Sequence, residues 1–242
     1  MPVTDKERIS NYMVCAISHM LKDKEVVFHG VSSHIPMIGM MLARATHAKD
    51  LVHVNIPGGV NPSDVSKEDY SSAGNQIYKT STASFPLQDV FDLSMRGRLD
   101  VAFLSGVQFD LEGNVNASVI GDYKKPKVRL PGGAGSAVLI PTAKKAILWR
   151  TKHDKRTFTE KVDFITTRGN VWRMVTPLCV FAFRNGRWEL DTIHPTSSLE
   201  EVKENTGFPL YYDEIRYTKE PTKEELYLLK KIDPHLNRCL EF

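Results

Sequence analysis

The stretch LVHVNIPGGVNP, Leu51 to Pro62, passes from an apolar strand-like run into a turn built on two glycines and a proline. Strand followed by glycine-rich turn is how an open α/β sheet delivers a side chain to the mouth of its cleft. The segment holds no acid, cysteine or serine, and its only titratable group is His53. Which residue the turn delivers is therefore the question that decides both fold and function.

Upstream, EVVFHG reads as a short strand ending at Gly30, and HIPMIGMMLARAT as an apolar helix leading to the Leu51 strand. Thr4-Asp-Lys-Glu7 is a capping box, after which Ile9, Tyr12, Met13, Ala16, Ile17 and Met20 share one helical face. Downstream, LQDVFDLSMRG reads as a helix closed by Gly97, and DVAFLSG as a buried strand. This alternation predicts a mainly parallel sheet with crossover helices.

From Gly106 to about Phe183 the pattern changes to glycines, prolines and short apolar segments: ASVIG, AVLIPT, KAILWR, KVDFITT and PLCVFAF. Read as closely spaced strands, they add an antiparallel or mixed region. The tail returns to helix through capping boxes at Ser198-Leu-Glu-Glu201, ending at Gly207, and Thr222-Lys-Glu-Glu225. With no repeat, low-complexity tract or dividing linker, the reading is one α/β domain over residues 1–242, an open sheet with flanking helices.

The composition, 41% hydrophobic and 25% charged, is that of a soluble globular chain, and a net charge of +3 gives no reason to expect nucleic acid. Cys15, Cys179 and Cys239 are odd in number and widely spaced, which predicts a reducing cytoplasm and no metal site. No apolar run has the length of a membrane span, so no membrane partner is expected.

Three glycine-containing turns are candidate ligand loops: IPGGVNP, SGVQFDLEGNVN and LPGGAGSA. Glycine pairs let backbone amides approach a ligand closely, although turn geometry alone explains most such pairs. LPGGAGSA matches neither GxxxxGK[ST] nor GxGxxG. Gln108 and Asp110 fall on one face of an extended segment, while Asp110, Gly113 and Asn114 also suit a hydrogen-bonded turn. The basic runs KKPKVR (124–129) and HDKR (153–156) read as solvated loops, and His194, with no paired nucleophile, as a structural histidine.

The runs GVQFDLEGNVNASVIGDYKKPKVRLPGGAGSA, HDKRTFTEKVDFITT and HPTSSLEEVKENTGFPL resemble the β subunit of class I CoA-transferases, in particular the glutaconate type, over nearly the whole chain. The resemblance implies an open α/β fold, a separate α subunit, an α2β2 heterotetramer, and acyl-CoA substrates bound where the chains meet. Coenzyme A would enter as part of the substrate, with no permanently bound cofactor. In those transferases a β-subunit glutamate at a strand end attacks the thioester and forms a glutamyl-CoA intermediate. Laid on that pattern, Gly58 matches the motif glycine and Ile56 the glutamate, so no catalytic nucleophile is expected on this chain.

Lacking the glutamate, the chain is also similar to the ring-cleaving hydrolases of steroid breakdown, in which an α-subunit acid opens a cyclic keto-acyl-CoA. The expectation is hydrolytic ring or carbon–carbon cleavage. The alternatives are CoA transfer between a dicarboxylic acyl-CoA and a carboxylate, or a non-catalytic scaffold or ligand-binding subunit. Asn55, Gly58, Gly59, Gln108, Gly132, Gly133 and Ser136 are expected to shape the substrate site, with backbone amides binding the carbonyl or oxyanion.

Overall fold

Thr4 Oγ1 accepts the Glu7 amide at 3.2 Å and starts helix α1 (Asp5–Met20), as the capping pattern requires. The computed structural model of the chain describes residues 4–66 and 72–242. After α1 come β1 (Val26–His29), α2 (His34–Ala45), β2 (Val52–Asn55), β3 (Gly59–Val60), α3 (Asn75–Lys79), β4 (Ala83–Ser84), α4 (Gln88–Met95) and β5 (Val101–Leu104). The described residues up to Phe103 form one compact unit together with the returning segment Lys219–Phe242, and Leu104–Thr218 form another.

In the first unit β1 lies between β2 and β5, parallel to both, with His29 in register with Asn55 and Phe103. Strands covered on both faces need continuous apolar runs, which is why VVFH and VAFL show little alternation. β3 and β4 then add antiparallel pairs beyond β2. α1 packs on α2, burying Met13, Val14 and Ile17 from one helix and Met37, Ile38 and Met40 from the other. All six side chains are of the type whose removal from water drives folding.

The second unit begins with two hairpins, β6 (Gln108–Phe109) with β7 (Val115–Asn116), and β8 (Val119–Gly121) with β9 (Pro126–Arg129). Helix α5 (Ser136–Thr142) follows, then β10 (Lys145–Trp149), β11 (Val171–Val175), β12 (Cys179–Arg184), β13 (Arg187–Ile193) and α6 (Leu199–Asn205). β10 and β11 pair in parallel, and β11, β12 and β13 are antiparallel, so the expected mixed region is present. Its core is aromatic: the Phe158 ring lies 4.1 Å from His153, 5.7 Å from Phe109 and 6.1 Å from Phe181, centroid to centroid.

Three local expectations are corrected. AVLIPT is the body of α5 rather than a strand, with Pro141 inside the helix. So short an apolar run cannot reveal its period, and Val and Ile bias the reading towards strand. KVDFITT forms no strand apart from a bridge from Thr167 to Val115. Ahead of that bridge its backbone is held by side chains, the Asp163 amide donating to Gln108 Oε1 at 3.1 Å and the Val162 amide to Asp110 Oδ2 at 3.4 Å. Gly207 does not cap α6, whose C-cap is Thr206; its amide donates to the Phe158 carbonyl at 2.6 Å.

The chain then returns to the first unit with α7 (Lys223–Ile232) and a 3-10 turn at Asn237–Cys239. Thr222 forms a complete capping box with Glu225, the side chain of each bonding the backbone amide of the other at 3.1 and 2.7 Å. Replacing Thr222 with Ala should lower stability by about 1 kcal/mol in urea unfolding, with the m-value unchanged. Nearby, buried Arg238 donates from Nη1 to Asp233 Oδ2 at 2.7 Å and from Nε to Asn11 Oδ1 at 2.9 Å, which ties the C-terminal turn to α1.

Candidate functional site

At the carboxyl end of β2 the chain turns over Ile56 and Pro57 and re-enters the sheet as β3. The Gly58 amide donates to the Asn55 carbonyl at 3.0 Å, and the Gly59 amide to Asn55 Oδ1 at 2.9 Å. One asparagine therefore closes the turn with both its backbone and its side chain. Asn55 is fully buried, and its Nδ2 has no hydrogen-bond partner among the described residues. A buried amide donor without a partner costs free energy, so the turn is organised at some expense around that N–H.

The glycines are required by the close approach of the neighbouring chain. Gly58 has φ +92, and a Cβ there would fall on the Phe85 carbonyl oxygen, whose own amide donates to Gly58 O at 2.8 Å. A Cβ at Gly59 would strike Ser81 Oγ and stand 2.9 Å from Asn55 Nδ2. Gly58→Ala combines left-handed strain with a clash against fixed backbone, and should destabilise by about 2–3 kcal/mol as read by the urea midpoint.

His29, at the end of β1 beside Asn55, carries no signal in the sequence that marks it for this site. Its ring meets that of His53 edge-on at 4.9 Å, and both histidines are fully buried. His29 Nδ1 lies 3.1 Å from the Gly30 carbonyl; its Nε2 and both ring nitrogens of His53 find no partner among the described residues. Burial pushes the His29 imidazolium down to about 4, and burial together with His29 and Arg44 pushes His53 well below its ordinary range. Both rings are neutral at pH 7, so the strand end carries no charge of its own.

In the second unit Gln108 is held on every side. Its Oε1 accepts from Asn116 Nδ2 at 2.6 Å and from the Asp163 amide, and its Nε2 donates to Asp163 Oδ2 at 3.2 Å. The network runs on from Asn116 to Ala117, whose carbonyl accepts the Gly132 amide at 2.8 Å. Gly133 packs against Thr166 and Ala137, and its carbonyl accepts the Ser136 amide at 2.8 Å where α5 begins. Gln108, Gly132, Gly133 and Ser136 thus belong to one local framework.

The expected role of backbone amides as ligand donors needs correction. The amides of Gly58, Gly59, Gly132 and Ser136 all donate within the chain, and at the turn the buried Asn55 Nδ2 is left without a partner among the described residues. Asp110 and Asn114 form the hydrogen-bonded turn, Asn114 bonding both Asp110 oxygens at 3.1 and 3.0 Å. His194 is structural: its Nδ1 lies 2.8 Å from Thr218 Oγ1 and its Nε2 2.9 Å from the Thr176 carbonyl. Cys15 and Cys179 are buried thiols pushed up to about 12 by desolvation, too high for nucleophiles. No helix among the described residues is long and apolar enough to cross a membrane.

A family model described as coenzyme A transferase matches residues 11–205. The chain is similar to the β-type chain of 3-oxoadipate CoA-transferase from Pseudomonas knackmussii, with 31% identity over 243 residues and 91% of each protein covered. It is also similar to the β-type chain of glutaconate CoA-transferase from Acidaminococcus fermentans, with 27% identity and 90% of each covered. Among solved structures it superposes on the decarboxylase AibA/AibB with a TM-score of 0.91 and 28% identity, covering 99% of both chains.

Proposed function

The chain belongs to the coenzyme A transferase family, and on that footing we propose that it is the β-type half of a two-chain enzyme that breaks a carbon–carbon bond in an acyl-CoA. The bond is broken by hydrolysis, as in the opening of a cyclic keto-acyl-CoA, or by decarboxylation. The catalytic acid or base comes from the α subunit, and two such pairs form the α2β2 assembly. Coenzyme A enters as the handle of the substrate.

One observation carries this reading: the turn after β2 presents Ile56 and a buried amide donor, and no carboxylate lies between Leu51 and Pro62. Transfer through an enzyme-bound thioester needs a nucleophilic carboxylate, and isoleucine has no lone pair with which to attack. Cleavage of a carbon–carbon bond next to a thioester needs something else. The electron pair released moves towards the thioester carbonyl, and a donor fixed at the oxygen stabilises the developing enolate. Asn55 Nδ2 is such a donor, held in place because its Oδ1 is anchored to the Gly59 amide. The likeness to a decarboxylase over 99% of both chains supports this direction.

CoA transfer is the second reading, favoured by the names of the curated relatives. The two separate by trapping. When the purified αβ pair is incubated with acyl-CoA and treated with hydroxylamine or borohydride, mass spectrometry should find this chain unmodified. A hydroxamate or reduced carboxyl on it would establish the transferase reading.

A further inference from the structure

A cavity of about 360 Å³ in the second unit is lined by Arg150, Lys152 and Arg156, with Asp154, Gln108 and Val107 among the remaining walls. The run from His153 to Arg156 reads from sequence as a solvated loop; its Asp154 and Arg156 line the hollow together with Arg150 and Lys152, which precede it. Asp154 is already engaged: its Oδ2 lies 3.2 Å from Lys152 Nζ, and its Oδ1 accepts the amides of Arg156 and Thr157 at 3.1 and 2.8 Å. These contacts hold its carboxyl below the usual range, so it stays ionised and offsets one cation. Two positive charges remain in surplus.

Arg150 is the informative member. It is half-buried at the end of β10, where its backbone amide is fixed to the Val175 carbonyl at 3.1 Å. Its Nε is buried and has no hydrogen-bond partner among the described residues. A guanidinium offers five N–H donors in a planar fork matched to carboxylate and phosphate, and leaving one buried and unpaired is costly. Beside it Gln108, 7% exposed, is locked by Asn116 and Asp163, so one wall of the cavity is rigid.

We propose that this cavity is an oxyanion-binding site, with Arg150 as the bidentate anchor and Arg156 as the charge at its rim. The anion is a carboxylate at the far end of an acyl chain or a phosphate of the nucleotide handle; the two share the fork geometry that the guanidinium recognises. The inference extends the acyl-CoA reading above by giving the substrate's anionic end a place on this chain.

The test is calorimetric titration of the full chain, alone and paired with its α subunit, with glutarate and with inorganic pyrophosphate. At least one probe should bind in the millimolar range or tighter, more weakly at high salt. Arg150→Gln should weaken binding about tenfold or more, and the exposed Arg156→Ala several-fold, with unchanged circular dichroism. Glutarate alone binding assigns the acyl carboxylate, and pyrophosphate alone the nucleotide. If neither binds the wild type, or if both variants bind as the wild type does, the site does not exist. Turnover of an acyl-CoA panel, measured in parallel, separates the two ideas: anion binding lost in Arg150→Gln by a pair that turns over no acyl-CoA would keep the site and sink the acyl-CoA reading.

Discussion

Urea unfolding followed from about pH 7.5 down to about pH 4.5 should show the protein losing most of its stability before carboxylate titration takes over. The cause is four imidazoles buried in the neutral form. Desolvation pushes His29 and His194 down to about 4 and His153 to about 3, and His53 falls well below its ordinary value. In the unfolded chain each returns to about 6.5. Between those values the unfolded state binds more protons than the folded state, so stability is full above pH 6.5 and falls as the pH drops towards 4. A shift from 6.5 to 4 corresponds to about 3 kcal/mol for one group. His29, His153 and His194 together approach about 10 kcal/mol in order of magnitude, comparable to the whole stability of a typical domain, and His53 acts in the same direction. A urea midpoint that stayed level from about pH 7 to pH 4.5 would show that the imidazoles are charged in the fold or reachable by water.

The second large effect concerns Asn55. Asn55→Ala removes both the acceptor that fixes the Gly59 amide and the unpartnered Nδ2 donor, whereas Asn55→Asp keeps the acceptor and replaces only the donor. If the side chain stabilises the developing oxyanion, both variants should lower kcat of the αβ pair by about 10²–10³ while leaving KM for acyl-CoA within a few-fold. Both variants should also lose stability, for different reasons. The alanine loses about 1–3 kcal/mol because the Gly59 amide is left buried without a partner, whereas the aspartate keeps that bond but buries a carboxylate beside neutral rings. An aspartate variant with wild-type kcat would remove Asn55 from the chemistry and leave it a purely structural clamp.

The fold was largely legible in the sequence because its first hundred residues alternate strand and helix with clear punctuation. Thr4, Gly97 and Thr222 mark element boundaries through capping chemistry that a sequence displays directly. The middle was harder. α5 is seven residues long and rich in β-branched side chains, so no period shows, and Val162 and Asp163 are held by the side chains of Gln108 and Asp110 rather than by a ladder.

The site divides in the same way. The turn that holds Asn55, Gly58 and Gly59 could be placed because a strand running into a glycine turn is a local signal. That the amides were already spent inside the chain could not be seen, since a glycine turn does not show in its sequence that Asn55 takes the Gly58 and Gly59 amides, and Ala117, which takes the Gly132 amide, lies outside that loop. His29 was hidden because its significance comes from its register with Asn55 across two strands. Arg150 sits at the end of a correctly read strand, yet nothing in KAILWR tells which way its side chain turns.

The measurement that bears most directly on the proposed function is product analysis by mass spectrometry. The chain is co-expressed with its α partner, and a panel of acyl-CoAs is assayed with and without acetate. Carbon–carbon cleavage should give products that keep CoA attached, altered in the acyl carbon skeleton by loss of carbon dioxide or addition of water, and formed equally with or without acetate. Acetyl-CoA formed only when acetate is present, with release of the free acyl acid, would show that CoA transfer proceeds despite Ile56 and would contradict it.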